Sequence, residues 1–286
     1  SIPKKPTIKH MQLYTIDTGY FKLDGGAMFG VVPKTMWNKL NPADENNLCT
    51  WAMRCLLVED GNRLILIDTG IGDKQDAKFF SHYHLHGDSS LDSSLAQHGF
   101  HRDDITDVFL THLHFDHCGG AIIRQGDQLI PAFKNATYWS HADHWNWAVH
   151  PNDREKASFL KDNILPIQES GQLKFIEGDS FTENFSVRLV NGHTNSMMLP
   201  QINYKGRTIV YMADLLPSAA HLPIPYVMAY DMFPLTTLQE KKSFLAEAVE
   251  NNYLLYFEHD PQIELAELVQ TEKGVRAGAT LKLKNL

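Results

Sequence analysis

From Thr111 to His117 the chain reads Thr-His-Leu-His-Phe-Asp-His, which places three imidazoles and one carboxylate within six consecutive positions. Few structural demands explain that density. His112 and His114 stand two residues apart and can converge on one ion from a short turn, while Asp116 and His117 project toward a neighbouring point. Imidazole nitrogen and carboxylate oxygen suit borderline ions such as Zn²⁺ or Mn²⁺, and a pair of such ions makes a nucleophile from water at neutral pH. Any fold that uses this run has to bring further ligands to it from elsewhere in the chain.

Two ions need roughly eight ligand positions once shared groups and water are counted, and the sequence offers candidates in a repeated context. Val187–Val190 runs into Asn191-Gly192-His193, Ile209–Ala213 into Asp214, and Tyr253–Phe257 into Glu258-His259. Val108–Leu110 precedes the main cluster, and Leu64–Ile67 precedes Asp68-Thr69-Gly70. Short apolar runs read as buried strands. Five strands would then deliver polar side chains to one edge of a sheet.

Asp68-Thr69-Gly70, His112 through His117, Gly192-His193-Thr194, Asp214 and His259 stand in an order that resembles the metallo-β-lactamase superfamily. The resemblance implies an αββα sandwich of two mixed β-sheets flanked by helices, one domain over residues 1–286, with the metals at a strand-end edge. It implies two divalent metal ions per chain, zinc first, with manganese, iron and cobalt as alternatives. Carried over by position, His112, His114 and His193 hold one ion, Asp116, His117 and His259 the other, and Asp214 bridges them. Asp68 stands behind a ligand imidazole and orients it through its other ring nitrogen.

Within that superfamily the chain is most similar to the bacterial branch of N-acyl-homoserine lactone lactonases and methyl parathion hydrolase. The supporting stretches are Ser94-Leu95, Gly99 ahead of Asp104–Val108, Cys118–Ala121 and Phe257–Pro261. The resemblance implies a quorum-quenching lactonase, with water activated between the ions attacking the lactone and Asp116 passing a proton to the leaving alkoxide. A phosphotriesterase or arylesterase is the first alternative, then a thioesterase or β-lactamase; a redox or structural metalloprotein is the non-hydrolytic one. Small lactonases of the family commonly carry a tyrosine three residues after the bridging aspartate, where this chain has Pro217, and Thr194 is followed by Asn195-Ser196-Met197 rather than proline-glycine-histidine. His221 is the nearest polar residue that could replace that tyrosine as a catalytic donor; its bland reading is a loop histidine.

Composition narrows the remaining classes. The chain has 286 residues, 43% hydrophobic and 21% charged, ordinary for a globular protein with a sizeable core. A formal charge of −8 argues against a broad nucleic-acid surface. No uninterrupted apolar stretch reaches the ~18 residues of a membrane span. Cys49, Cys55 and Cys118 cannot all pair within one chain, which makes a disulfide scaffold improbable and a reducing cytoplasm the expectation. A signal segment cleaved ahead of Ser1 is left open. The expected partner is a small lactone or ester, and a homodimer is left open.

The rest of the pattern predicts a strand over residues 8–17, a long loop over 30–48, and a hairpin from Thr50 to Ile67 turning at Asp60-Gly61-Asn62. Residues 75–98 read as largely helical, with His82, His84 and His86 as a weak third metal candidate and a cap over the pocket as another role. Further helices are expected at 139–147 with Ser140 as N-cap, at 152–165 ending before Pro166, and at 236–252 with Thr237 and Glu240 as a capping box. Residues 271–286 read as a terminal strand. Phe29, Trp37, Phe79 and Phe80 are the expected substrate-pocket residues.

Overall fold

The apolar runs fold as strands, and their alternation decides which face each side chain enters. The computed structural model describes residues 10–286, so the first part of the expected opening strand lies outside the described residues. Strands β1 (Gln12–Asp24), β2 (Leu48–Asp60), β3 (Arg63–Ile67) and β4 (Asp107–Phe109) come first. A small hairpin, β5 (Ile122–Gln125) and β6 (Gln128–Pro131), precedes β7 (Thr137–Ser140) and β8 (Leu173–Phe175). The second half supplies β9 (Ser180–Thr182), β10 (Phe185–Val190), β11 (Met197–Tyr204), β12 (Arg207–Tyr211), β13 (Leu254–Tyr256), β14 (Leu265–Thr271) and β15 (Gly274–Leu281).

Two large mixed sheets result, one ordered β1-β2-β3-β4-β7-β8 and the other β15-β14-β13-β12-β11-β10-β9. In the first, β3, β4, β7 and β8 run parallel while β1 and β2 are antiparallel; in the second, β12 and β13 form the parallel pair. Leu56, Val58, Ile65, Ile67 and Phe109 face the second sheet and pack with Val187, Met197, Ile209 and Leu255. Their neighbours Cys55, Leu57, Leu64, Leu66 and Val108 point the other way, onto helices. Both faces of these strands are therefore apolar, which is why the runs show little polar alternation.

The helices are α1 (Gly25–Phe29), α2 (Lys34–Trp37), α3 (Ala77–Ser81), α4 (Leu91–Gln97), α5 (Phe115–Cys118), α6 (Ala142–Val149), α7 (Lys161–Glu169) and α8 (Pro234–Glu250). Leu95 of α4, Trp145 of α6 and Ile164 of α7 cover the first sheet, and α8 packs against β14 of the second. The layers are those of the expected αββα sandwich. No helix among the described residues is long and apolar enough to cross a membrane.

Four local expectations need correction. Residues 75–98 are two short helices joined by an irregular stretch, because the chain at His86 leaves the helical path to pair its backbone with Tyr20. The ring of His141, not Ser140, caps α6 by accepting from Asp143 N. Residues 152–160 form turns instead of a helix, drawn inward by Glu155, and α7 starts at Lys161 and continues through Pro166. Helix α8 starts at Pro234, whose missing N–H costs nothing at that position. Thr237 and Glu240, freed from capping each other, bond to Asp231 and to the backbone of Asn191 and Gly192.

Candidate metal centre

The strand ends deliver their polar residues as the apolar runs imply. His112, His114, His193 and Asp214 place one donor atom each within 4.8 Å of one another, and so do Asp116, His117, Asp214 and His259. Asp214 belongs to both groups. Its Oδ2 lies 3.3 Å from His112 Nε2, 3.1 Å from His117 Nε2 and 3.0 Å from His193 Nε2, and its Oδ1 lies 3.0 Å from His259 Nε2. Asp116 Oδ2 stands 3.2 Å from both His117 Nε2 and His259 Nε2.

Every one of these imidazoles is held from behind at its other nitrogen. Thr111 Oγ1 is 3.0 Å from His112 Nδ1, Glu155 Oε1 is 3.1 Å from His114 Nε2, and Asp231 Oδ1 is 2.7 Å from His193 Nδ1. Asp68 Oδ2 is 2.9 Å from His117 Nδ1, and the carbonyl of Ala52 accepts from His259 Nδ1 at 2.7 Å. Partners of this kind fix the ring orientation and raise the basicity of the nitrogen that faces the ion. Asp68 is where the resemblance placed it; Glu155 and Asp231 carried no signal in the sequence.

Backbone geometry serves the same end. Asp68, Ser196 and Ala213, none of them glycine, sit at positive φ of 59°, 55° and 43° in the loops that carry the donors. Each costs about 1 kcal/mol, retained where the surroundings over-determine the turn. Gly192 is required by close approach, since a Cβ there would meet Thr237 Oγ1 at 2.2 Å and its backbone N at 2.4 Å. Buried His144 ties two donor loops together: Leu113 N donates to its Nε2 at 2.9 Å, and its Nδ1 donates to Asn195 O at 2.6 Å.

The donor set fits cations. His193 Nε2 faces His114 Nδ1, and His259 Nε2 faces His117 Nε2, each at 3.2 Å, while buried His112 Nε2 and Asp214 Oδ1 approach their neighbours without an aligned hydrogen bond. Positive charge between these atoms satisfies all of them. In the metal-free protein protons take that place: burial works against charged rings at His193 and His259, but Asp214 outweighs it and raises both to about 10. Burial likewise disfavours the charged carboxylates of Asp116 and Asp214, yet the surrounding imidazoles hold both well below their ordinary value.

A cavity of about 270 Å³ opens over the cluster, lined by His114, Asp116, His193, Asp214 and His259 and by Phe21, Leu23, Met28, Phe115, Met228 and Met232. Tyr83, Arg154 and Tyr230 also line it. The four expected pocket aromatics do not. Phe29 and Trp37 are buried and stacked on each other at 5.2 Å behind Met28, and Phe79 packs edge-on to Phe115 at 5.2 Å with Phe80 beside it. Larger clefts of about 410 and 650 Å³ contain no member of the donor cluster.

His221 is not brought to the cavity either. Its Nε2 donates to Met28 O at 2.8 Å, its Nδ1 meets Ser218 Oγ at 2.7 Å, and its ring stacks on Phe29 at 4.6 Å. With both nitrogens occupied and burial lowering its pKa to about 3, it holds the Pro217 loop to α1 instead of facing a substrate. His82, His84 and His86 are exposed and stand in no donor group among the described residues. All three cysteines are free and buried, and burial pushes the Cys118 thiol up to about 12.

A family model for the metallo-beta-lactamase superfamily matches residues 54–259, more than half of the chain and every donor described above. The chain belongs to that superfamily. Solved structures similar to it span nearly its whole length. A probable metal-dependent hydrolase from Staphylococcus aureus is 28% identical, with 96% of this chain and 97% of that one covered and a TM-score of 0.87. AidC, a dizinc quorum-quenching lactonase solved with the product N-hexanoyl-L-homoserine, is 22% identical over 98% of both chains, TM-score 0.79. A hydrolase called AbOPH is 23% identical over 95% of both, TM-score 0.77. No curated protein matches the chain. Membership makes this metallo-beta-lactamase-fold protein a metal-binding hydrolase by family.

Proposed function

We propose that the chain is a dinuclear metal-dependent lactonase acting on N-acyl-homoserine lactones or related lactones, and that all 286 residues work as one domain. The observation that carries this reading is a single cavity in which the imidazole–carboxylate cluster meets an apolar wall of Phe21, Leu23, Met28, Phe115, Met228 and Met232. A lactone ring with an acyl tail needs that pairing of polar floor and apolar wall. The full-length likeness to a dizinc lactonase supports it.

His112, His114 and His193 would hold one divalent ion, Asp116, His117 and His259 the other, and Asp214 both. When bound, such ions supply a nucleophile from water at neutral pH and stabilise charge on the carbonyl oxygen. Asp116 lines the cavity and is the residue that takes a proton from the attacking water and hands it to the leaving alkoxide. Zinc is the proposed metal, since nitrogen-rich donor sets with carboxylates suit it. The methionines and Phe115 exclude water from the acyl side.

A screen of zinc-reconstituted protein against lactones, aryl esters, phosphotriesters, thioesters and β-lactams tests the substrate class. Lactones should give the highest kcat/KM. Strong β-lactam or phosphotriester turnover without lactone opening would replace it.

A further inference from the structure

Glu258 is the residue of the site that the donor arrangement leaves unexplained. It directly precedes His259, is fully buried, and neither carboxyl oxygen has a hydrogen-bond partner. A buried carboxyl left without a partner costs several kcal/mol, so its presence calls for a reason. Glu258 Oε1 is 3.0 Å from His117 Nδ1, and Asp68, His117 and Glu258 place one donor atom each within 4.8 Å of one another.

That nitrogen already has Asp68 at 2.9 Å, yet the two carboxyls are not equivalent. Asp68 Oδ1 accepts from Thr111 N and Oδ2 from Thr111 Oγ1, both at 2.9 Å, so Asp68 also fixes the turn leading to His112. Glu258 serves no other group. Its own backbone is anchored, since Arg54 N donates to its carbonyl at 2.9 Å, and the next residue, His259, is gripped by Ala52 on the same strand β2. One dipeptide at the end of β13 thus supplies a donor to the cavity with His259 and reaches behind a second donor with Glu258.

We propose that Glu258 is a positioning residue for His117, its buried carboxyl packed against Nδ1 beside the Asp68 hydrogen bond and so fixing the ring with Nε2 toward Asp116, Asp214 and His259, where the second ion would sit. This rests on the metal assignment above but not on the substrate. Its consequence is asymmetric: loss of Glu258 disturbs the ion of the Asp116–His117–His259 group and leaves the ion of His112, His114 and His193 alone.

The test is a zinc titration of the chelated full-length protein against a chromophoric chelator, with the parent, Glu258→Leu and Glu258→Gln. Glu258→Leu should weaken one of two zinc sites by about 10- to 100-fold, the usual effect of removing such a partner, while the other stays close to the parent. Glu258→Gln keeps an acceptor and should recover most of the affinity. Equal zinc affinities in parent and Glu258→Leu, or an equal drop at both sites alongside a lower melting temperature, would overturn the proposal. If Glu258→Leu does not fold, the Nδ1–H proton resonance of His117 in Glu258→Gln decides: it should shift from the parent position, and an unchanged resonance rejects the contact. A parent that binds no zinc would instead reject the metal assignment itself.

Discussion

Asp231 Oδ1 lies 2.7 Å from Nδ1 of His193, while its other oxygen accepts the hydroxyl of Thr237 at 2.8 Å. Helix α8 is thereby tied to a donor of the centre through one carboxylate. Asp231→Ala should lower affinity for the ion proposed at His112, His114 and His193 by about 10- to 100-fold and spare the other. Zinc competition titration reads this directly; an unchanged pair of affinities removes Asp231 from the account.

The bridging role proposed for Asp214 separates two further variants. Asp214→Ala should weaken both ions, because its two oxygens contact histidines of both groups, whereas His193→Ala should first weaken one. Metal analysis after gel filtration checks the difference, and an equal loss in both variants contradicts the partition.

Gly192→Ala probes the packing that aims His193. The added methyl meets Thr237 in its backbone and hydroxyl, so the loop must move, at a cost of about 1–3 kcal/mol. Thermal unfolding should show the lower stability and zinc titration a weakened first site. A variant with parental melting temperature and affinity would mean that the loop shifts freely.

Proton release follows from the fields at His193 and His259. Burial opposes their charged forms, but Asp214, with Asp231 at one and Asp116 at the other, raises both to about 10, above the ordinary imidazole value. The stability this lends the metal-free protein is complete below pH ~6.5 and is lost as pH rises toward 10. Metal must displace these protons, so zinc uptake near neutral pH should release them and its affinity should rise with pH. Calorimetry in two buffers of different ionisation heat measures the release; identical heats would contradict it.

The donors were legible because their residue types are rare in such density and each follows an apolar run that had to be a strand. His112 through His117, His193, Asp214 and His259 converge as that pattern implies. Glu155 and Asp231 were not legible, since each is a single carboxylate in an irregular stretch whose meaning arises only when the chain folds it behind a histidine. The pocket aromatics misled for a related reason. Phe29 and Trp37 satisfy one another by stacking, and the cavity wall fell to methionines and to Phe115, which no periodicity distinguishes. His221 looked free in sequence but is consumed by Ser218 and Met28 O.

His221→Ala should destabilise the fold by about 3 kcal/mol, from the lost ring and the unpaired Met28 carbonyl, and His221→Tyr should not restore it. Chemical denaturation measures the loss. A stable His221→Ala protein with intact metals and a tenfold lower kcat/KM would return His221 to a role at the substrate.

The central claim is that two ions held by one cluster open a lactone. Zinc is added stepwise to the chelated full-length protein while the opening of N-hexanoyl-homoserine lactone is followed by proton release. The account predicts a rate that climbs to a plateau at two equivalents of zinc. A plateau at one equivalent, or turnover undiminished by chelation, would contradict it.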